Sequence, residues 1–325
     1  MQESFYIAIY GYGNHGLRLK NIIRKITNNN NKYVIIGISR RKLDDTDVIS
    51  FPSLKSAISR YGNIDCVFIS TPNESHLDSF KDCIANKIKS IYVEKPAIGV
   101  EEYCKKNINK IKSIINYIQV GYHLNYEEGF IELKDYVSNE KMGSLLRLDM
   151  YSGHGLAFKN TFNDSWRAKS KSAIVQTVAC HLINISFVIL GDTKINNSFA
   201  YVKRSNENGY YDTCHLSGLS EGGVLYSLSA TWGSPFQSLI KAYFSNGIWT
   251  YDFNKGNVTI ESPRDIFDKL GYFIAPDAST HQSKPNGLTN SVKYFLNKSF
   301  LKKSFDYEFN NASLTSSIVD NFNYL

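Results

Sequence analysis

The chain has 325 residues, of which 42% are hydrophobic, and this is enough material for two globular domains. Its net charge of +7 is spread without a compact basic stripe, which argues against nucleic-acid binding. No apolar stretch reaches the roughly 18 residues of a membrane span, and the N-terminus reads as a strand rather than a signal peptide. Five widely spaced cysteines disfavour disulfides and structural zinc and favour a reducing, cytoplasmic location. No other cluster has metal-ligand spacing, so we expect no metal.

The first predicted element is a buried strand that leads into a glycine-rich turn. In FYIAIYGYGNHGLRL (5–19), Gly11, Gly13 and Gly16 follow the apolar run and a helical pattern begins behind them. Glycines at this spacing permit a tight turn and close approach of a pyrophosphate to the helix N-terminus. We therefore predict a dinucleotide-binding turn that includes Tyr12, Asn14 and His15. The alternative is a glycine-rich turn that holds no ligand.

The second predicted strand, KYVIIGIS (32–39), ends where a dinucleotide-binding protein reads the adenosine ribose. Ser39, Arg40 and Arg41 stand there in place of the acidic residue that grips a ribose 2′-hydroxyl. An arginine pairs with a 2′-phosphate through two parallel hydrogen bonds. The sequence therefore favours NADP(H), with NAD(H) as a possible cofactor. The alternative is that both arginines only point into water.

Two further buried strands, 64–72 and 90–96, end in polar motifs. The segment between them has helical spacing, and alternating strands and helices predict a doubly wound parallel sheet. Ligands bind such sheets beyond the carboxyl ends of the strands. The cofactor-binding candidates at these ends are Ser70, Thr71, Pro72, Asn73, His76, Glu94, Lys95 and Pro96. A last strand within 115–124 places the domain boundary near Gly121.

The second half of the chain reads as short strands separated by serine, asparagine and glycine turns. This pattern predicts a mainly antiparallel sheet with one face packed on helices such as 173–190. The strand segments are 145–152, 198–204, 210–219, 222–232, 238–245, 247–253 and 257–262; closing helices are predicted at 290–300 and 314–325. The expected fold class is α/β, with a Rossmann domain at 1–121. An α+β domain built on a large open sheet follows at 122–325.

The order of the motifs resembles that of one oxidoreductase family. Glu94-Lys95-Pro96 follows a strand, and it lies downstream of the glycine turn and of Thr71-Pro72-x-x-x-His76. GYHLNY (121–126), GHG (153–155) and SWR (165–167) come next. This sequence is similar to the Gfo/Idh/MocA (glucose–fructose oxidoreductase / inositol dehydrogenase) family.

The resemblance carries expectations about chemistry and assembly. It implies a nicotinamide cofactor and a sugar, cyclitol or nucleotide-linked sugar as substrate. It also implies Lys95 in the active site and a histidine acid/base, here His181, on the first long helix of the second domain. Finally, it implies a homodimer or homotetramer assembled through the second sheet.

A histidine stands alone in the apolar segment AIVQTVACHLIN (173–184). His181 is either a core histidine or the proton-transfer group of an enzyme. Thr177 and Asn184 share its helical face, and a polar stripe on an apolar helix is costly to bury unless it is bonded or lines a cavity. Many members of the family carry aspartates at these two positions. The neutral residues here put dehydrogenase activity in question, and Thr177 is kept as a catalytic candidate.

Polar residues near the expected boundary and before this helix supply the substrate candidates. Trp166 and Arg167 offer a stacking face and an anion clamp. Alternatively, Trp166 fills the domain interface and Arg167 caps a carbonyl group. The remaining candidates are His154, Asn125 and Asn184, with His123 as a weaker one.

The sequence thus predicts hydride transfer between a nicotinamide cofactor and the secondary alcohol or ketone of a sugar or nucleotide-sugar. His181 would act as acid/base, and Lys95 would stabilise the alkoxide. Two alternatives stay open: a redox-neutral enzyme of the epimerase or eliminase type, and a non-catalytic regulatory protein that binds the cofactor.

Overall fold

A computed structural model of the chain describes residues 4–41, 43–159, 161–191, 193–201, 211–262, 269–271, 277–300, 306–307, 315, 317–319 and 322; of Trp166, 193–201, 277 and 306–307 it describes the backbone alone. The chain forms two compact units. Met1–His123 and Leu288–Ser316 form the first unit, and Leu124–Gly287 and Ser317–Leu325 form the second. Within the described ranges, no helix has the length and hydropathy that a membrane crossing requires.

Strands and helices alternate in the first part of the chain, and strands dominate the second. The strands are β1 (Phe5–Tyr10), β2 (Tyr33–Ile38), β3 (Ile49–Phe51), β4 (Cys66–Ile69), β5 (Ser90–Val93), β6 (Tyr117–Val120), β7 (Leu145–Gly153), β8 (Thr193–Tyr201), β9 (Thr213–Ser220), β10 (Leu225–Thr231), β11 (Gln237–Phe244), β12 (Gly247–Asp252), β13 (Asn257–Ser262), β14 (Asp277–Gln282) and β15 (Asp306–Tyr307). The α-helices are α1 (Asn14–Ile26), α2 (Leu54–Tyr61), α3 (His76–Ala85), α4 (Val100–Lys106), α5 (Ile108–Ile114), α6 (Glu128–Ser138), α7 (Cys180–Leu190) and α8 (Gly287–Phe300).

The first unit is built on a parallel sheet in the order β15-β6-β5-β4-β1-β2-β3. Every residue of β4, β5 and β6 is buried, as expected for strands that are covered on both faces. The predicted doubly wound parallel sheet is confirmed. The edge strands β3 and β15 were not predicted, because two or three residues are too few to carry a periodic signal.

The helix α8 packs in the core of the first unit. Its fully buried Phe295 contacts Phe68 of β4 edge to face, with ring centroids 4.9 Å apart. On the same helix, Ser291 accepts a hydrogen bond of 2.9 Å from Gln119 of β6. The predicted division at residue 121 assigned this helix to the second domain, and its contacts place it in the first. Helical periodicity shows which face is apolar, but not which sheet that face covers.

The second unit is built on an eight-stranded sheet in the order β14-β13-β12-β11-β7-β10-β9-β8. Only β7 and β10 pair in parallel, and the other neighbours described here are antiparallel. Burial alternates along β9 and β11, so one face is covered and the other stays accessible. This confirms the expected mainly antiparallel sheet.

Two predicted elements of the second half extend past the described residues. The segment 198–204 corresponds to the end of β8, and its last three residues lie outside the described ranges. The closing helix 314–325 is described only at 315, 317–319 and 322, and the first four of these residues are helical. The other closing helix, 290–300, is confirmed as part of α8.

Candidate active site

The glycine turn after β1 forms a cradle that side chains would fill. Gly11 has φ +91°, and a Cβ atom there would lie 2.6 Å from the Thr71 nitrogen. A Cβ atom at Gly16 would lie 2.7 Å from the Gly11 carbonyl oxygen, whereas one at Gly13 meets nothing within 4 Å. Gly11 and Gly16 are thus required by the protein's own packing. Gly13 instead keeps the outer side of the turn open, where a pyrophosphate would approach.

The N-terminus of α1 suits an anion. Gly13 is its N-cap, no side chain caps the first turn, and that turn contains no acidic residue. The first backbone N–H groups of a helix have no partner within the helix, and the helix dipole adds positive potential there. These residues therefore fit the phosphates of a dinucleotide, with Asn14 and His15 at the first two helical positions.

The loop after β2 carries the two predicted arginines in an accessible position. Arg40 and Arg41 are exposed, and the Arg41 N–H donates to the Ser39 hydroxyl over 3.1 Å. Among the described residues, neither guanidinium has a carboxylate partner. Both are therefore available to an anionic group of a ligand.

A cluster that sequence analysis missed ties this loop to the glycine turn. The Tyr12 hydroxyl donates to Asp45 Oδ2 over 2.8 Å, and Lys20 Nζ lies 3.2 Å from the same oxygen. Burial alone would raise the pKa of Asp45, but hydrogen bonds from Tyr12, the Asp47 backbone and Lys20 lower it. The acidic run 44–47 after a predicted strand was the available signal, yet nothing in sequence spacing pairs it with Tyr12 or Lys20.

His76 joins two of the turns at the carboxyl edge of the sheet. It is 1% exposed, with Nδ1 3.0 Å from the Pro96 carbonyl oxygen and Nε2 2.9 Å from that of Thr71. Burial lowers its pKa, so the neutral form is favoured. A neutral imidazole donates to one of these two carbonyls at a time, and the buried position of His76 between the turns suits a structural role rather than contact with a cofactor.

Glu94 pairs with the first turn of α1. Its Oε1 lies 2.7 Å from His15 Nε2, and the glutamate is 7% exposed. Burial alone would raise the pKa of Glu94, but the neighbouring His15 and Lys95 lower it, which favours the carboxylate. The Lys95-Pro96 peptide bond of the same motif is cis. The structure thus brings the glycine turn and the Glu94-Lys95-Pro96 motif together.

The end of β6 completes this cluster. A Cβ atom at Gly121 would lie 2.9 Å from the Tyr92 hydroxyl and 3.1 Å from Glu94 Oε2, so a side chain there would crowd the carboxylate. Two residues later, burial lowers the pKa of His123 to about 4. His123 is therefore neutral at physiological pH and adds no positive charge beside Glu94.

In the second unit, a polar face is exposed just before and within α7. Residues Val175–Ala179 form a π-helical turn, a rare feature that is frequent at functional sites. Between 175 and 187 only Gln176, Thr177 and His181 are partly exposed. The Thr177 hydroxyl donates to the Ala173 carbonyl over 2.6 Å, which holds its oxygen on the partly exposed face. Gln176 was missed because helical spacing alone does not reveal a π turn.

Asn184 differs from its two predicted neighbours. It is 2% exposed, and its Oδ1 accepts a hydrogen bond of 2.8 Å from Asn125 Nδ2. Asn125 lies in the 3₁₀ turn His123–Tyr126. The structure therefore brings together two of the predicted substrate residues, but Asn184 faces the interior of its unit rather than the accessible face.

The other substrate candidates lie in the loops between β7 and α7. The His154 ring contacts Phe236 edge to face with centroids 5.6 Å apart, and its backbone N–H donates to Thr231. Arg167 is partly buried, and burial lowers its pKa. Trp166 lies in the 3₁₀ helix Trp166–Lys169, but its side chain is outside the described part of the structure.

Solved structures with the same two-part fold include several dehydrogenases. Levoglucosan dehydrogenase in complex with NADH has a TM-score of 0.81 and 14% identity, covering 98% of this chain and 96% of that one. For myo-inositol 2-dehydrogenase from Lactobacillus plantarum the TM-score is 0.75 and the identity 16%, over 98% of this chain and 96% of that one. For a dehydrogenase from Chromobacterium violaceum the TM-score is 0.72 and the identity 15%, over 99% of this chain and 95% of that one. At these identities the similarity establishes the fold.

The sequence of the first unit also matches a family model. Residues 5–122, which contain the glycine turn and the Glu94-Lys95-Pro96 motif, match the model described as "Oxidoreductase family, NAD-binding Rossmann fold". The motif order and the two-part fold agree with this match. Residues 5–122 therefore carry the NAD-binding Rossmann domain of the Gfo/Idh/MocA oxidoreductase family.

Proposed function

We propose that this protein transfers a hydride between a nicotinamide cofactor and the secondary alcohol or ketone of a sugar or nucleotide-linked sugar. The observation that carries the proposal is the open cradle at Gly13, where an uncapped helix N-terminus leaves N–H groups for a pyrophosphate. When bound, the nicotinamide supplies the hydride acceptor or donor. The remaining steps belong to side chains of this chain.

We propose His181 for the transfer of the substrate proton and Lys95 for the stabilisation of negative charge on the substrate oxygen. In the oxidation direction, His181 takes the hydroxyl proton of the substrate, and Lys95 stabilises the negative charge that develops on the oxygen. In reduction, His181 returns the proton to the carbonyl oxygen. The partial exposure of His181, on a helix whose neighbouring residues are buried as far as Phe187, supports this role, as does the position of Lys95 beside the ionised Glu94.

The cofactor we propose is NADP(H), with weaker use of NAD(H). Arg40 and Arg41 are exposed at the end of β2, and a guanidinium binds a phosphate through two parallel hydrogen bonds. The Ser39 hydroxyl fixes the start of this loop by accepting from the Arg41 N–H. A 2′-phosphate placed against these residues would gain binding energy that NAD(H) lacks.

A sugar is the substrate class that the fold relatives favour. Levoglucosan dehydrogenase has been solved with NADH and levoglucosan, and with NADH and L-sorbose. In this chain we propose that Thr177 and Gln176 accept or donate hydrogen bonds to substrate hydroxyls beside His181. Arg167, with Trp166 next to it in sequence, and His154 would hold the more distant part of an anionic sugar. Asn125 and Asn184, which are hydrogen-bonded to each other, would support the substrate-binding residues from the interior of the second unit.

We also propose a cytoplasmic homodimer or homotetramer. Five buried free thiols suit a reducing compartment. On the accessible face of the second sheet, Leu219 and Leu225 are cross-strand partners, 38% and 54% exposed. Covering such residues would favour association of copies through this face. Sedimentation of the purified protein measures the assembly directly.

A second candidate function is catalysis without net redox change, or cofactor binding without turnover. The observation that favours it is the absence of a carboxylate at Thr177 and Asn184, whose side chains are bonded to Ala173 and Asn125. A transient absorbance change near 340 nm without accumulated NADPH would identify a redox-neutral enzyme. Tight cofactor binding with no absorbance change on any sugar would identify a binding protein.

Calorimetric titration of the purified protein with NADPH, and separately with NADH, tests the proposal first. We expect both to bind, with NADPH the tighter ligand. Sugars and nucleotide sugars are then screened for NADP(H) turnover, and His181→Ala or Lys95→Ala should lower kcat by about 10²-fold or more. Binding of neither cofactor would refute the proposed function, and near-full turnover by His181→Ala would refute the role of the histidine.

A further inference from the structure

Asp45 connects three parts of the predicted adenosine end of the site. Its Oδ2 accepts from the Tyr12 hydroxyl of the glycine turn over 2.8 Å and lies 3.2 Å from Lys20 Nζ of α1. Its Oδ1 accepts from the Asp47 N–H over 3.1 Å. Both carboxylate oxygens are therefore engaged inside the first unit.

The cluster is sheltered from water, which strengthens its interactions. The side chains of Lys20 and Asp45 are 9% and 17% exposed. The Tyr12 ring packs beside Leu43 over Gly37 of β2, where a Cβ atom would lie 2.5 Å from the leucine and 3.3 Å from the tyrosine. An ammonium group buried to this extent needs carboxylate partners; Asp45 is the more buried of two, since the exposed Asp47 also places its Oδ2 3.3 Å from Lys20 Nζ.

Arg40 and Arg41 belong to the loop that Asp45 anchors. This loop begins at Ser39, after β2, and both arginines precede Asp45 by only a few residues. The Asp45 carboxylate interacts with Lys20 and Tyr12. Fixing the loop lowers the backbone entropy that would be lost when the two arginines bind a phosphate.

We propose that Asp45 is a positioning residue for cofactor choice: by binding Tyr12 and Lys20, it holds the loop so that Arg40 and Arg41 meet the 2′-phosphate of NADP(H). The inference rests on the NADP(H) preference proposed above. The group that distinguishes NADP(H) from NAD(H) is a phosphate monoester on the adenosine ribose. The glycine turn, by contrast, would bind the pyrophosphate that both cofactors share. Loss of the cluster should therefore weaken NADPH binding and leave NADH binding largely unchanged.

A role of Asp45 through its charge and a role through its position predict opposite changes in NADPH affinity for the variant Asp45→Asn. If the aspartate acted only by its charge, removing it would reduce repulsion and tighten NADPH binding. If it positions the loop, removing it loosens the arginines and weakens NADPH binding. The exposed Asp44 provides the matched control, since Asp44→Asn makes the same charge change in the same loop without touching the cluster.

The test is calorimetric titration of the full-length protein and its variants with NADPH and NADH. We expect Asp45→Asn and Tyr12→Phe to raise the Kd for NADPH by about fivefold, the contribution of one hydrogen bond, with the Kd for NADH within about twofold. Asp44→Asn should bind NADPH as tightly as the wild type or more tightly. Tyr12→Phe keeps the ring that packs over Gly37, so its folding is preserved, and thermal midpoints check this.

The outcomes separate the two proposals. A wild type without NADPH preference overturns the proposed cofactor choice and this inference with it. A wild type that prefers NADPH, with Asp45→Asn behaving like Asp44→Asn and Tyr12→Phe unchanged, overturns only the positioning role. Equal weakening of both cofactors also overturns it, because the cluster would then support the glycine turn as a whole.

Discussion

Gly11 and Gly13 occupy the same turn, but their surroundings require glycine for different reasons. A Cβ atom at Gly11 would collide with the Thr71 backbone, at a φ of +91° that other residues rarely adopt. We expect Gly11→Ala to lower the free energy of unfolding by about 2 kcal/mol or more. Gly13 has φ −95° and open space around its Cβ direction, so Gly13→Ala should leave stability unchanged and still weaken NADPH binding.

Urea unfolding and calorimetry of the two variants distinguish these effects. Gly62→Ala is a suitable control for backbone strain alone, because Gly62 has φ +77° and no neighbour within 4 Å. If Gly13→Ala bound NADPH as tightly as the wild type, the pyrophosphate would not approach the turn as we infer.

His123 makes the stability of the protein depend on pH. Burial lowers its pKa to about 4 in the folded state, against a usual histidine value of about 6.5 when unfolded. Between these values only the unfolded chain binds the proton, so stability falls as the pH falls through this range. The slope from this residue approaches ~1.4 kcal/mol per pH unit. Urea unfolding between pH 7.5 and 4.5 should give a flatter profile for His123→Gln, and an equal slope would contradict the assignment.

At the scale of elements, the hydrogen bond from Asn125 to Asn184 joins the 3₁₀ turn His123–Tyr126 to α7. Asn184 is buried, and Asn184→Ala leaves the partly buried Asn125 amide without this acceptor. We expect a loss of about 1–3 kcal/mol in the free energy of unfolding. The double variant with Asn125→Ala should cost less than the sum of the single variants by at least ~0.5 kcal/mol. Strictly additive losses would show that the two residues act independently.

The elements that sequence analysis predicted were those with long apolar periodicity. Residues of β1 and β4 form continuous apolar runs, and the helical spacing of α8 was read correctly at 290–300. The π turn at Val175–Ala179 was not predicted, since it depends on one displaced hydrogen bond rather than on composition. Strand β14 was also missed, because DASTHQ has no apolar alternation.

The candidate site was predictable where function imposes a local motif. The glycine turn and Glu94-Lys95-Pro96 follow strand ends, so their common edge of the sheet could be inferred. The pairs between distant residues could not be inferred. Glu94 with His15, and Asp45 with Tyr12, join segments tens of residues apart, and only the three-dimensional structure reveals these contacts.

At the scale of the whole molecule, the first unit depends on residues from the end of the chain. Val292, Phe295 and Leu296 of α8 are fully buried in a cluster with Ile7 and Phe68. A fragment cut at the predicted boundary of residue 121 would expose this surface. We therefore expect residues 1–121 alone to fold poorly and to bind NADPH at least tenfold more weakly than the full chain, by about 1.4 kcal/mol or more.

Phe295→Ala tests this dependence within the intact protein. Phe295 is fully buried and contacts Phe68 and Tyr92 edge to face, so its truncation leaves a cavity beneath β4 and β5. We expect a loss of about 3–5 kcal/mol in the free energy of unfolding, with weaker NADPH binding at temperatures where the first unit opens. Phe158→Ala is the matched control, since that ring is 66% exposed and should change stability by no more than ~0.5 kcal/mol. Equal, small effects of the two variants in urea unfolding would mean that α8 does not complete the core of the cofactor-binding unit.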